Sequence, residues 1–300
     1  MPPEPPSPPP VDQAGPAGPA GPDGPDGRNA APRGIVFDLD GTLIDSRRDI
    51  ATAVNRMRAE RGLAPLSVEA VSGMVGEGAR VLVRRALPPW PPGAGQDDLK
   101  DALASYLAHY ADVCLATTRA YPGVAAMLAT LAPSFPLAVL SNKGEALSRH
   151  ILHGLGLDRY LREVIGGDTL PTRKPNPGGL FLLADRMAIP APRLLLVGDT
   201  WIDARTAQAA GCAFALTLWG EPRAGGPAIA AVAAAAGSPR VAGGGLAARQ
   251  EAGGEAATDA EDAIPRWRLA HPRDLPAALG LTEDGELAEP GQPGQPGQPD

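Results

Sequence analysis

The sequence predicts an α/β fold: a doubly wound parallel sheet with a small all-helical unit inserted after its first strand. Three observations carry that expectation. Short apolar runs at 34–38, 137–141, 163–166, 193–198 and 213–217 have the length and character of buried strands. Helical stretches at 122–132, 144–154, 177–188 and 201–210 fall between them, and apolar strands alternating with helices build a parallel sheet covered on both faces. Residues 47–116 break the alternation with helical spacing alone.

The first strand is Gly34-Ile35-Val36-Phe37, and two carboxylates one residue apart follow it in Asp38-Leu39-Asp40-Gly41-Thr42-Leu43. In the inserted unit Ile50, Val54 and Met57 recur at helical spacing, with Arg47, Arg48, Arg56 and Arg58 among the polar positions. More helices are expected at 67–74, 78–87 and 97–115, and together they look like a lid over the end of the first strand. Gly73-Met74-Val75-Gly76-Glu77-Gly78 is glycine-rich but follows no strand, so a nucleotide-cradling loop is not expected; it should open a lid helix near the substrate. The second strand closes on Ser141-Asn142-Lys143, and Lys174 sits in the proline-flanked Arg173-Lys174-Pro175-Asn176-Pro177. The strand at 193–198 runs into Gly198-Asp199-Thr200-Trp201-Ile202-Asp203, after which Ala207, Ala209, Ala210 and Gly211 make a helix small enough to pack closely on the sheet.

Composition bounds the rest. Of 300 residues 44% are hydrophobic, enough for a core, while the 35 Pro and 37 Gly concentrate in particular segments. Gly15, Gly18, Gly21, Gly24 and Gly27 keep a three-residue period that resembles collagen, but over too few triplets to hold a trimer. Residues 1–33 and 283–300 are therefore expected as disordered tails and 222–262 as a low-complexity insert. The core domain then comprises 34–46, 117–221 and 263–282, with 47–116 as the helical cap. A net charge of −7 provides no general electrostatic basis for a nucleic-acid partner. There is no run of roughly 18 apolar residues and no basic-then-apolar leader pattern, and Cys114 and Cys212 lack zinc or disulfide spacing. The expectation is a cytoplasmic protein without membrane partners, working as a monomer or homodimer.

Burying two acids at a strand end costs several kcal/mol unless a cation pairs with them. A carboxylate is a weak nucleophile, but phosphorus is electrophilic once its oxygens are neutralised. Asp38 can thus ligate Mg²⁺ with one oxygen and attack with the other. Asp40, two positions on, points to the same side; it can protonate a leaving alkoxide and then activate water. Asp199 is the third candidate ligand, and Asp203, one helical turn further, can hold a metal-bound water or orient a neighbour. The Ser141 hydroxyl and adjacent backbone N–H groups can hold phosphoryl oxygens, and Lys174 can neutralise phosphate charge and Asp38. Each has a plainer reading: Asp-x-Asp occurs in loops and calcium sites, Asp199 could cap a helix, Ser141-Asn142-Lys143 could be a turn, and Lys174 a solvated charge. A phosphoryl-transfer site accounts for them together. His109, His150, His153 and His271 lack metal-ligand spacing and are read as satisfied or surface side chains.

Phe37-Asp38-Leu39-Asp40-Gly41-Thr42, Leu140-Ser141-Asn142-Lys143, Lys174-Pro175 and Gly198-Asp199-Thr200 with Asp203, in this order, resemble the haloacid dehalogenase superfamily of phosphatases, whose core is Rossmann-like. The helical insert fits the subgroup with a small α-helical cap. Val75-Gly76-Glu77-Gly78-Ala79-Arg80-Val81-Leu82 and Tyr121-Pro122-Gly123-Val124 are similar to the phosphoglycolate phosphatase group. The likeness covers 34–220 and resumes near 263–281, where His271-Pro272-Arg273-Asp274-Leu275 looks like the final strand and helix. It implies a Mg²⁺-dependent phosphatase for a small phosphorylated metabolite, 2-phosphoglycolate first, acting through an aspartyl-phosphate.

By that resemblance Asp38 is nucleophile and ligand, and Asp40 is general acid/base with its carbonyl on the metal. Ser141 and Lys174 hold the phosphoryl group, Asp199 is the remaining ligand, and Asp203 supports it from behind. Asn142, Lys143, Gly41, Thr42 and Arg80 of the cap are expected to touch phosphate or substrate. Pyrophosphate, sugar phosphates or nucleotides remain alternative substrates; a phosphomutase and a non-catalytic binding protein of the same fold remain alternative functions. A haloalkanoate dehalogenase needs neither a leaving-group acid nor Mg²⁺, so Asp40 argues against it.

Overall fold

The computed structural model describes residues 31–88, 96–220 and 267–281. The main sheet contains β1 (Gly34–Phe37), β4 (Leu137–Leu140), β5 (Glu163–Ile165), β6 (Leu194–Gly198), β7 (Ala213–Thr217) and β8 (Trp267–Leu269). Their order is β5-β4-β1-β6-β7-β8, and every pairing is parallel. Strand order reverses direction at β1, and in such sheets the crevice beyond the strands' carboxyl ends at that point is where ligands bind. Asp38 is the first residue after β1 and therefore stands in the crevice.

Successive side chains of a strand point to opposite faces, and here both faces are apolar. Ile35, Phe37, Val139, Leu195 and Val197 join one hydrophobic cluster; Val36, Ala138, Leu140, Leu194 and Leu196 join the other. The first is covered by α5 (Val124–Leu131) and α6 (Glu145–Gly154), through Leu128 and Ile151, and by α9 (Asp274–Ala278) through Leu275. The second is covered by α7 (Gly178–Met187) through Leu180 and Leu183, and by α8 (Trp201–Ala210) through Ala204 and Ala207. Burying each such Leu or Ile contributes about 1.5–3 kcal/mol. A Cβ on Gly179 would lie 2.5 Å from Leu140 Cδ1, so the bare backbone is what lets α7 approach β4.

Every regular element among the described residues of the inserted unit is a helix: α1 (Arg47–Ala59), α2 (Val68–Ser72), α3 (Ala79–Ala86) and α4 (Gln96–Val113). Val54 and Met57 of α1 share a buried cluster with Tyr106 and Tyr110 of α4. The two linkers to the core pair with each other as β2 (Ile44–Asp45) and β3 (Arg119–Ala120), antiparallel. Asp49 fastens them. It is 1% exposed, and its carboxylate accepts from Thr118 N and Oγ1, both at 2.8 Å, and from Thr117 Oγ1 at 2.6 Å. Neither this short pairing nor the role of Asp49 was expected from the sequence, since two-residue strands carry no periodicity.

The expected elements recur with ends displaced by up to two residues, as helix and strand termini usually are. The last strand is the exception. It is Trp267–Leu269, paired with β7 through Leu216↔Arg268, and not the 271–275 stretch. Pro272 has no N–H to offer a ladder, and His271 N donates to Asp274 Oδ2 at 2.8 Å in a turn that leads into α9. Residues 1–30 of the expected N-terminal tail, the C-terminal tail and the 222–262 insert lie outside the described residues, whereas residues 31–33 are described and Arg33 N donates to Arg193 O. Among the described residues no helix is long and apolar enough to cross a membrane.

Candidate active site

Two connections at the carboxyl edge of the sheet, after β1 and after β6, bring the acids together. Carboxylate oxygens of Asp38, Asp199 and Asp203 lie within 4.8 Å of one another, and all three residues are buried. Lys174 enters from the loop before α7, and its ammonium donates to Asp38 Oδ1 at 2.7 Å and to Asp203 Oδ1 at 2.6 Å. The Lys174-Pro175 peptide is cis.

Asp203 is held by local chemistry. Thr200 caps α8, and the reciprocal capping box places the Asp203 carboxylate back on Thr200 N at 3.1 Å and Thr200 Oγ1 at 2.5 Å. The helix cap is thus Thr200 and not Asp199, which leaves Asp199 for the cluster. A Cβ on Gly198 would stand 2.5 Å from Asp203 Cγ; glycine at the strand end is what admits that carboxylate.

The charges do not balance. Three buried carboxylates face one ammonium. Burial pushes Asp38 up to about 7 despite the Lys174 charge, and Asp203 and Asp199 push the same way. Burial pulls the Lys174 ammonium down, but Asp203 and Asp38 outweigh it and hold the group above the ordinary lysine value. Three buried acids facing one ammonium fit a divalent cation, and an all-oxygen donor set suits Mg²⁺. Asp203 has Oδ1 on Lys174 and Oδ2 on Thr200, whereas the bonds of Asp38 to Lys174 and of Asp199 to Thr42 use Oδ1 of each, so Asp38 and Asp199 are the better candidate ligands.

Asp40 and Asp38 line the same cleft, with Ser141 and Lys174 beside them. Asp40 is held apart from the acid cluster by its own partners. Lys143 Nζ and Ser46 Oγ both donate to Asp40 Oδ1 at 2.5 Å, and Lys143 also donates to Tyr110 OH at 2.8 Å. Ser46 stands at the N-cap of α1 yet makes no capping bond, because its hydroxyl is committed to Asp40. Burial lifts the Tyr110 phenol well above its ordinary value and keeps it protonated. The cap supplies the opposite wall, with Ile50, Val75, Leu82, Tyr106 and Leu107.

Several expected contacts are rearranged. Arg80 is exposed and does not line the cleft, because α3 turns Leu82, Val83 and Ala86 inward. Gly41 and Thr42 do not line it either; Thr42 is fully buried and its hydroxyl donates to Asp199 Oδ1 at 3.1 Å. Lys143 lines the cleft but spends its ammonium on Asp40 and Tyr110. Asn142 lines it too, with its amide bonded to backbone carbonyls at Gly76 and Lys174. Ser46 and Tyr110 went unread in the sequence. The only signal for the tyrosine was the spacing of Tyr106 and Tyr110, which stack at 5.7 Å on one face of α4.

The sequence model of the family described as "Haloacid dehalogenase-like hydrolase" matches residues 35–217. The chain belongs to that family. It is 43% identical over 198 residues to a phosphoglycolate phosphatase of Rhodospirillum rubrum, covering 64% of this chain and 82% of that one. It is 41% identical over 192 residues to phosphoglycolate phosphatase 1 of Pseudomonas aeruginosa, covering 63% of this chain and 70% of the other. The crystal structure of a predicted phosphoglycolate phosphatase from Haemophilus somnus 129pt superposes with a TM-score of 0.60 at 31% identity, over 64% of this chain and 88% of that one. Within the family, then, this chain is an enzyme of the phosphatase kind.

Proposed function

We propose that the protein is a Mg²⁺-dependent phosphatase of small phosphate monoesters, with 2-phosphoglycolate as the first substrate to test. The observation that carries this reading is the buried convergence of Asp38, Asp199 and Asp203 on Lys174, with Asp40 on the same cleft. The relatives named above are phosphoglycolate phosphatases, which supports the choice of substrate.

In the proposed reaction an Asp38 oxygen attacks phosphorus, the bond from phosphorus to the ester oxygen breaks, and an aspartyl-phosphate forms. Asp40 delivers a proton to the departing alkoxide and then takes one from the water that releases inorganic phosphate from Asp38. Ser141 and Lys174 hold the phosphoryl oxygens; Lys174 also keeps Asp38 aimed. Mg²⁺ held by Asp38, the Asp40 carbonyl and Asp199 would supply neutralisation of the phosphoryl charge. Asp203 holds Lys174 in place. The apolar cap wall over the acids confines the ester's organic part and excludes water.

Phosphate release measured over a panel of small esters with Mg²⁺ tests the reading. Turnover of 2-phosphoglycolate that disappears with EDTA and in Asp38→Asn is expected. Turnover that persists in that variant would overturn the mechanism, and a panel without any turnover would overturn the function.

A further inference from the structure

The side-chain amide of Asn142 ties the cap to the catalytic loop. Its Nδ2 donates to the Gly76 carbonyl of the cap at 2.8 Å and to the Lys174 carbonyl of the core at 3.0 Å. An NH₂ group has two hydrogens, so both are committed. Turning the amide round would set Oδ1 against two carbonyl oxygens; the network therefore fixes its orientation. Asn142 is 8% exposed; its bond to Lys174 is buried and its bond to Gly76 is partly buried.

A second observation places the same cap loop. A Cβ on Gly78, where φ is +90°, would come within 2.5 Å of Arg173 Nη1 and 3.2 Å of the Asn142 carbonyl oxygen. The cap loop thus rests on residues 142 and 173, the immediate neighbours of Ser141 and Lys174. The side chain that joins Gly76 to Lys174 is an amide with both donors on backbone carbonyls.

We propose that Asn142 is a positioning residue: a latch that forms when the cap seats on the cleft and that sets the backbone of Lys174 as it does so. The proposal rests on the phosphatase reading and adds to it how closure is sensed. With the loop seated, one amide fixes the Gly76 and Lys174 carbonyls together, while Lys174 Nζ spans Asp38 and Asp203. With the cap lifted, the Gly76 acceptor is lost and the Lys174 loop is held at one point fewer. Closure and correct placement of the lysine become the same event, a common use of lids over reactions that must exclude water.

Amide hydrogen exchange in the substrate-free protein reads the latch without relying on turnover. In Asn142→Ala, and equally in the isosteric Asn142→Asp, residues 73–80 should exchange about tenfold faster or more, with β6 unchanged. For an ester that the enzyme turns over, kcat should fall about 10–100-fold with KM within about threefold. Gly78→Ala attacks the same contact from the cap side and should raise exchange of the loop in the same way, which covers the case of an Asn142 variant that fails to fold. Unchanged exchange at 73–80 would overturn the proposal. So would weaker binding of inorganic phosphate with unchanged exchange, since that outcome makes Asn142 a direct phosphate ligand. If the wild-type protein releases phosphate from no ester, the phosphatase reading fails while the exchange result still decides the latch.

Discussion

Asp203 anchors Lys174: the ammonium donates to its Oδ1 at 2.6 Å across 29 residues of sequence. Both groups are buried, and the same ammonium reaches Asp38 at 2.7 Å. Replacing Lys174 by Ala leaves three buried acids facing one another, and removing one partner of a buried pair costs about 3–5 kcal/mol. Urea unfolding of the metal-free protein should show that loss. Lys174→Arg should recover little activity, because a planar guanidinium cannot reproduce a point charge shared by two carboxylates.

Asp38→Asn separates chemistry from stability. Loss of the proposed nucleophile should lower phosphate release by about 10³-fold or more. Stability should move the other way. Because burial raises Asp38 to about 7 in the metal-free fold, the folded state holds that proton more tightly than the unfolded chain. Asp38 therefore favours folding at low pH and costs stability as pH rises from about 4 towards about 7. Asn does not titrate, so thermal melts in EDTA should show the variant gaining on the wild type across that window. A constant difference would contradict the burial cause.

Asp49 is the opposite case. Burial pushes its carboxyl up, but the hydrogen bonds from Thr117 and Thr118 outweigh it and hold the group below the ordinary value. Its contribution is then present above the unfolded value and is lost as pH falls through the depressed folded one. Asn at this position sets an NH₂ against donors; a loss of about 1–3 kcal/mol is expected at pH 7. The deficit should shrink below about pH 3.9 as the wild-type carboxylate itself is protonated.

Removal of 1–30 and 285–300 should leave kcat and KM within about twofold, the scatter expected when no substrate contact is lost. The family match begins at 35 and ends at 217. The cut belongs before residue 31 because Arg33 N donates to Arg193 O at 2.8 Å, beside the start of β1. A large fall in kcat after truncation would show that the ends take part in catalysis.

The parts legible in the sequence are those with local causes. Ile35-Val36-Phe37 is apolar on both sides of its pleat, and a strand with two apolar faces has to be interior. Asp38 then follows at the strand end whatever the remainder does. The cap of α8 is not among those parts: the sequence offers Asp199 for it, whereas Thr200 and Asp203 form the capping box. Tyr110, Ser46 and Asp49 were silent because their partners lie on other elements. A hydroxyl at an N-cap position, such as Ser46, ordinarily bonds its own helix; only the proximity of Asp40 diverts it.

By itself the sequence determined the alternation of strands and helices, the place of the inserted cap, and which acids stand at the sheet's carboxyl edge. These follow from periodicity and burial, which a chain carries residue by residue. Tertiary structure decided the partner of each polar group: Thr42 on Asp199, Lys143 on Asp40, Asn142 on Gly76 and Lys174, and Arg80 out towards solvent. Those choices depend on direction and on distances set by distant segments, since a hydrogen bond is made only where a donor and an acceptor are brought within about 3 Å and aligned.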